Sequence, residues 1–268
     1  MSMIVQISDL HVSDPDSPSD RIVRQADRLA RAVAWINRLQ PQPDLVLASG
    51  DLVDQCRRSE YERLKAVLAD LEAPIRLMVG NHDDRDHLRA VFDDHGYLPD
   101  GPFVHYTVDH LDVRVIALDS QIPGEIGGEL CARRLAWLEA RLAEETSKPT
   151  IVALHHPPFP GGIEKMDAHS LIRGGAALES LLARSGQVVR VVAGHVHRPF
   201  TAMFGGRLAM TCPSTSHQIA FDIERQDGVA IMDEPAQALL HLYRPASGLV
   251  THLLPIGDHP VIVDVRLD

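Results

Sequence analysis

Five short apolar runs in this chain each end in a cluster of carboxylate, imidazole or amide side chains. Met3 to Ser8 runs into Asp9-Leu10-His11, Leu45 to Ala48 into Ser49-Gly50-Asp51, and Ile75 to Val79 into Gly80-Asn81-His82-Asp83. Ile151 to Leu154 runs into His155-His156, and Val188 to Ala193 into Gly194-His195-Val196-His197. Runs this short and this apolar read as strands buried on both faces. In an open α/β sheet, ligands bind beyond the carboxyl ends of the strands, so the five clusters are predicted to meet at one edge.

Between these runs the spacing changes to that of helices. Ile22, Ala26, Leu29, Val33 and Ile36 trace one helical face, which Pro41 and Pro43 stop. Ser59 followed by Glu62 reads as a capping box ahead of a second helix marked by Tyr61, Leu64, Leu68 and Leu71. Phe103 to Val108 and Val113 to Asp119 read as paired strands, and Leu135, Leu138 and Leu142 mark a further helix. Beyond Thr211 come β-like runs at Ala238 to Tyr243, Leu249 to Leu254 and Val261 to Val265. The organisation expected is α/β: one domain over residues 1–268, with the polar clusters inside 9–197 and a β-rich C-terminal extension over 212–268. Gly161 to Gly175, with four glycines and little periodicity, is predicted to lie as a loop over the site.

Composition narrows the class of partner. At 268 residues, 45% hydrophobic and 24% charged, the chain can bury a full core, which excludes a disordered or collagen-like polymer. The balance of 26 Lys and Arg against 37 Asp and Glu leaves −11, and only 4% of residues are aromatic. A nucleic-acid partner is therefore not expected, since it needs a basic channel or stacking platforms. No apolar run approaches the roughly 18 residues of a membrane span. No basic residue precedes Arg21, and Cys56, Cys131 and Cys212 form neither an even framework nor a CxxC pair. The expected address is the cytoplasm, with no membrane association.

Histidine is the compositional surplus, at 15 residues. Carboxylate, imidazole and amide donors without sulfur are what a divalent transition metal of the Fe, Mn, Zn or Co kind takes. His195 and His197 stand two apart on an extended segment and so point to one side. Seven donor residues, one of them shared, suffice for two ions.

As an ordered set, Asp9-x-His11, Gly50-Asp51, Gly80-Asn81-His82-Asp83, His155 and Gly194-His195-x-His197 resembles the signature of the calcineurin-like metallophosphoesterases. The run His155-His156-Pro157-Pro158, Met166-Asp167 and Ser216-His217-Gln218 extend the resemblance toward class III cyclic nucleotide phosphodiesterases and bacterial glycerophosphodiesterases. It implies an αββα sandwich of mixed sheets. It also implies one metal on Asp9, His11, Asp51 and His197, a second on Asp51, Asn81, His155 and His195, and Asp51 as the bridge. His156 would then be no ligand. His82 would face the scissile phosphate with Asp83 orienting its ring, and His217 is a lower-ranked candidate for substrate contact.

The implied reaction is hydrolysis of a small diester, a 3',5'-cyclic nucleotide or a glycerophosphodiester, by a hydroxide bridging the two metals. After two carboxylates and that hydroxide the centre carries about +1, enough to attract a monoanion despite the chain's net charge. Protein phosphatases of this superfamily carry an arginine in GDxxDRG that grips a dianion. Here Gln55 occupies that position, which favours a diester. Arg57 and Arg58 read as solvated residues at a helix start. The alternatives are a monoesterase or nuclease of the same superfamily, or a non-catalytic scaffold. Pairing of the C-terminal strands between subunits would make a homo-oligomer.

Overall fold

The computed structural model describes residues 1–225 and 227–265. The first part of the chain comprises β1 (Ser2–Ile7), α1 (Pro18–Val23), α2 (Gln25–Asn37), β2 (Leu45–Ala48), α3 (Arg58–Leu68), β3 (Ile75–Leu77) and α4 (Arg85–Val91). Then come β4 (Tyr106–Val108), β5 (Arg114–Leu118), β6 (Gly128–Glu129), α5 (Ala132–Glu144), β7 (Thr150–Leu154), α6 (Glu164–Asp167), β8 (Leu171–Arg173), α7 (Gly175–Ala183) and β9 (Val188–Ala193). The last part comprises β10 (Thr201–Phe204), β11 (Arg207–Thr211), β12 (Gln218–Ile219), β13 (Ile231–Met232), β14 (Gln237–Arg244) and β15 (Gly248–Pro255).

Two mixed sheets hold the molecule together. One has the order β15-β14-β1-β2-β3, the other β10-β11-β9-β7-β5-β4. The alternation of side chains along a strand sorts the second sheet's residues between two cores. Val115, Ala117, Ile151, Ala153 and Val192 face the first sheet, in a core that also holds Ile4, Val46 and Leu47. Their neighbours Ile116, Leu118, Val152, Leu154 and Val191 face outward against Leu138 and Leu142 of α5 and Leu178 and Leu182 of α7. Leu29, Val33 and Ile36 of α2 and Leu64 and Leu68 of α3 cover the first sheet. The result is helix, sheet, sheet, helix: the expected αββα sandwich. Burying each such side chain contributes about 1.5 to 3 kcal/mol.

The C-terminal β run is an integral part of this frame. β14 lies antiparallel to β1, with Ile4 opposite His241, and β15 continues the sheet outward. At the junction His241 Nε2 lies 3.1 Å from Gln6 Oε1, while Gln6 Nε2 donates to Ser49 Oγ at 2.9 Å and to the Ala193 carbonyl at 3.2 Å. One buried glutamine thus ties β1, β2, β14 and β9, and so holds the two sheets in register.

Several local expectations are corrected. The helix expected from Ile22 breaks at Arg24, which adopts φ 57, and Ile22 sits on the short α1 with 81% of its surface exposed. The start of α3 is closed by Glu60, whose carboxylate accepts the amides of Gln55 at 2.9 Å and Arg57 at 3.1 Å; Glu62 instead pairs with Arg58 at 2.9 Å. Residues Val261 to Val265 form no strand and stand exposed. They follow Pro260, which has no amide to donate to a ladder. The segment from Gly161 to Gly175 does reach the site, but it carries α6 and β8 rather than bare loop.

Candidate metal centre

β1, β2 and β3 run parallel, as do β5, β7 and β9, so their carboxyl ends deliver the polar clusters to one edge of the sandwich. Backbone bonds lock the turns that follow: the amide of Asp9 donates to the Gly50 carbonyl at 3.1 Å, that of His11 to Asp51 at 2.9 Å, and that of Gly194 to His155 at 2.9 Å. Asp9, His11, Asp51, His195 and His197 all adopt φ between 47 and 72. L-residues avoid that region, and backbone strain of this kind gathers where a site needs side chains re-aimed. At Gly194 a Cβ would collide with Ser8 Oγ and stand 3.0 Å from Asp9 Oδ2, so glycine is what lets the two sheets' turns meet.

The seven donor residues read from the sequence come together in two overlapping halves. In one, His197 Nε2 lies 3.3 Å from Asp9 Oδ1 and 3.1 Å from His11 Nε2, and His11 Nε2 lies 3.7 Å from Asp51 Oδ2. In the other, His155 Nε2 lies 3.2 Å from Asp51 Oδ2, and His195 Nδ1 lies 3.0 Å from Asn81 Oδ1. Asp51 is common to both. Asp9, His11 and Asp51 offer oxygens and nitrogens within 4.8 Å of one another, as do His155, His156 and His195.

These residues fit a divalent cation. Ring orientation is set from behind: His155 Nδ1 donates to the Ser49 carbonyl at 2.8 Å and His197 Nδ1 to the His217 carbonyl at 2.8 Å, which turns each Nε2, the atom a metal would take in the neutral ring, toward the cluster. His155 Nε2, His195 Nε2 and His11 Nδ1 are buried with no hydrogen bond. Asp9 and Asp51 are buried beside them, at 0% and 2% exposure. Buried lone pairs and carboxylates aimed at one another are costly unless a cation sits between them.

Proton affinities reflect the same crowding. Burial drives the Asp51 carboxyl up, but the facing charges of His155 and His82 hold it well below its ordinary value. Burial lowers His155, yet Asp51 raises it to about 9. His195 falls to about 3 through burial and the His155 charge.

His156 is not available as a donor. Its Nε2 donates to the Ile126 carbonyl at 3.0 Å and its Nδ1 lies 2.8 Å from Ser120 Oγ, so both nitrogens are engaged. His217 lies at the edge of the cluster, its ring 4.6 Å from that of His197.

Asp83 is placed differently from expectation. Its carboxylate accepts the amide of Gly80 at 2.8 Å, the amide of Leu52 at 3.2 Å and the Tyr61 hydroxyl at 2.8 Å, and it makes no bond to the His82 ring. Four residues beyond the glycine of the second motif, Asp54 takes that part instead: His82 Nδ1 donates to its carbonyl at 2.7 Å, and its carboxylate lies 3.6 Å from His11 Nδ1. Sequence reasoning passed over Asp54. The available signal was a carboxylate three residues beyond Asp51, but the group that binds His82 is a backbone carbonyl, which no side chain announces.

A cavity of about 380 Å³ opens above the cluster, floored by His11, Asp51, Asp54, Asn81, His82, His195, His197 and His217. Lys165 is the one Lys or Arg that lines it among the described residues. Gln55 bonds Asp54 at 3.2 Å, while Arg57 and Arg58 pair with Asp14 and Glu62 and line no part of it.

Residues 2–199 match the calcineurin-like phosphoesterase family. Over 95% of this chain and 93% of the relative, the sequence is 33% identical to a probable glycerophosphodiester phosphodiesterase GpdQ of Arcobacter nitrofigilis. It is also 33% identical to the 3',5'-cyclic adenosine monophosphate phosphodiesterase CpdA of Pseudomonas aeruginosa, over 81% of this chain and 78% of that one. Among solved structures, a dimetal phosphatase from Danio rerio superposes with a TM-score of 0.62 at 16% identity, covering 96% of this chain and 99% of that one. Fold, site and sequence agree on the class, a sandwich with a histidine and aspartate centre at its strand ends. The chain belongs to the calcineurin-like phosphoesterase family.

Proposed function

We propose that the protein hydrolyses small phosphodiesters at a centre of two divalent metals. The observation that carries this reading is the meeting of two buried carboxylates with imidazole nitrogens that have no hydrogen bond, in two halves that share Asp51. Asp9, His11, Asp51 and His197 would hold one ion, and Asp51, Asn81, His155 and His195 the other. Bound there, divalent ions polarise phosphoryl oxygens and make water acidic enough to attack at neutral pH. Mixed nitrogen and oxygen donors suit Fe, Mn, Zn and Co alike.

The chain's own residues do the rest. The Asp54 carbonyl accepts a hydrogen bond from His82 Nδ1 and turns Nε2 into the cavity. Burial opposes protonation of the ring but the Asp51 carboxylate raises its proton affinity, and in the cationic form Nε2–H passes its proton to the departing alkoxide and leaves His82 neutral. Gln55 and Lys165, the one Lys or Arg lining the cavity among the described residues, give a dianionic monoester little to hold, which supports a monoanionic diester. The named relatives support a glycerophosphodiester or a 3',5'-cyclic nucleotide as that diester. The donor set, complete in sequence and gathered in two halves that share Asp51, speaks against a scaffold without chemistry.

The pairing of β14 with β1 supports reading residues 1–268 as one domain. No described helix is long and apolar enough to cross a membrane, and Cys56, Cys131 and Cys212 are all free. The free thiols support a cytoplasmic setting. Hydrolysis of bis(4-nitrophenyl) phosphate by metal-stripped and Mn²⁺-loaded protein tests the activity: turnover that appears only with metal is expected, and none with either would overturn the reading.

A further inference from the structure

The floor and the walls of the cavity differ in chemistry. Above the polar floor stand Val23 at the end of α1, Ile126, Met166 of α6, Ile219 of β12, Val229 and Ile231 of β13. Met166 and Ile219 are fixed from behind by a small separate core with Ile163 and Val196. In front of them Ile126 is 56%, Val229 39% and Ile231 59% exposed. Large aliphatic side chains left in water around the mouth of a polar centre mark a surface that something apolar covers. A phosphate seated on the floor must send its ester substituents along these walls. On the other flank of Asn81 lies a second hollow, about 390 Å³, lined by Asp84, Arg85, Asp86 and Arg89, so the two sides of the centre are chemically unlike.

We infer that the wall formed by Ile126, Met166, Ile219, Val229 and Ile231 is a subsite for an aliphatic ester substituent, so that the protein selects diesters carrying an alkyl chain over those whose second substituent is a small polar alcohol. This rests on the phosphodiesterase reading and narrows it: a glycerophosphodiester whose second alcohol is small and polar gains nothing from the wall, and one bearing an aliphatic chain does. Each methylene drawn from water onto such a wall raises affinity roughly fourfold, whereas a hydroxylated chain leaves its polar groups without partners there. The wall acts on the substituent whether or not it departs, so the effect separates from leaving-group chemistry.

Methyl, hexyl and polyhydroxylated six-carbon 4-nitrophenyl phosphates share one leaving group and differ only in the other substituent. With Mn²⁺-loaded protein, kcat/KM for the hexyl ester is expected to exceed that for the methyl ester at least tenfold, with no gain for the hydroxylated chain. In Ile231→Asp, an exposed position whose change spares the core, the hexyl to methyl ratio should fall toward one; Ile231→Thr should lower it in the same direction. A flat series with active enzyme overturns the subsite and leaves the phosphodiesterase reading standing. If no nitrophenyl diester turned over, that reading would fail, and calorimetry of dihexyl against dimethyl phosphate would still decide the subsite: tighter binding of dihexyl phosphate supports it, and equal affinity overturns it.

Discussion

His82 Nδ1 lies 2.7 Å from the carbonyl oxygen of Asp54, and a carbonyl can only accept. That fixes the proton on Nδ1 and presents Nε2 to the cavity. The consequence is measurable. His82→Ala should slow diesters with high-pKa alkoxide leaving groups by about 10² to 10⁴, while 4-nitrophenyl esters, which need no proton, change little. Rates plotted against leaving-group pKa for both proteins test this; parallel lines would remove His82 from leaving-group protonation.

Asp83 has a different signature. Its carboxylate gathers the amides of Gly80 and Leu52 and the hydroxyl of Tyr61, all buried. Asp83→Ala strands those donors at about 1 to 3 kcal/mol each. Thermal denaturation should show a clear loss of stability, and activity should fall alike for all leaving groups. A loss confined to poor leaving groups, with stability intact, would restore Asp83 as the partner of His82.

The donor residues themselves were legible because each is a side chain at the end of an apolar run, and parallel strands bring such ends together whatever the loops do. Roles that depend on contacts across the chain were not. Asp83 is adjacent to His82 in sequence, yet its carboxylate turns toward Tyr61 and Leu52, and the backbone of Asp54 takes its expected place. The same limit explains the helix at Ile22, where a left-handed Arg24 breaks the pattern. It also explains the capping of α3, where Glu60 closes the turn because the chain reaches back to Gln55. The apolar run Val261 to Val265 had the composition of a strand, but it follows Pro260 and stands exposed without joining a sheet.

Gly194 tests how closely the two sheets must meet. Its amide bonds the His155 carbonyl at 2.9 Å, and a side chain there would strike Ser8 and crowd Asp9. Gly194→Ala should lower metal affinity by about 10- to 100-fold by displacing Asp9 and the His195 turn. Titration with Mn²⁺ after chelation would check it; unchanged affinity would mean that the turn tolerates the displacement.

Acid should weaken the fold through a buried histidine outside the donor set. His105 stacks on Trp137 at 4.8 Å, and its Nδ1 accepts the Asp119 amide at 2.9 Å. Burial lowers it from 6.5 to about 4, the charge of Asp119 only partly opposing. The folded state therefore binds its proton later than the unfolded state does. Its contribution is whole above pH 6.5 and is lost as pH falls from there toward 4, on the order of 3 kcal/mol. Denaturant melts of metal-free protein at pH 7 and pH 4.5 should show a steeper loss in the wild type than in His105→Phe; equal slopes would contradict the assignment.

The central claim is that two metals share Asp51. Elemental analysis of Mn²⁺-reconstituted, desalted protein tests it most directly, with Asp51→Ala and Asn81→Ala measured beside the wild type. The account predicts two ions per chain in the wild type, about one in Asn81→Ala and close to none in Asp51→Ala, since only the last removes a donor and a neutralising charge from both positions. A wild type that holds no metal, or an Asp51→Ala variant that keeps both ions, would contradict it.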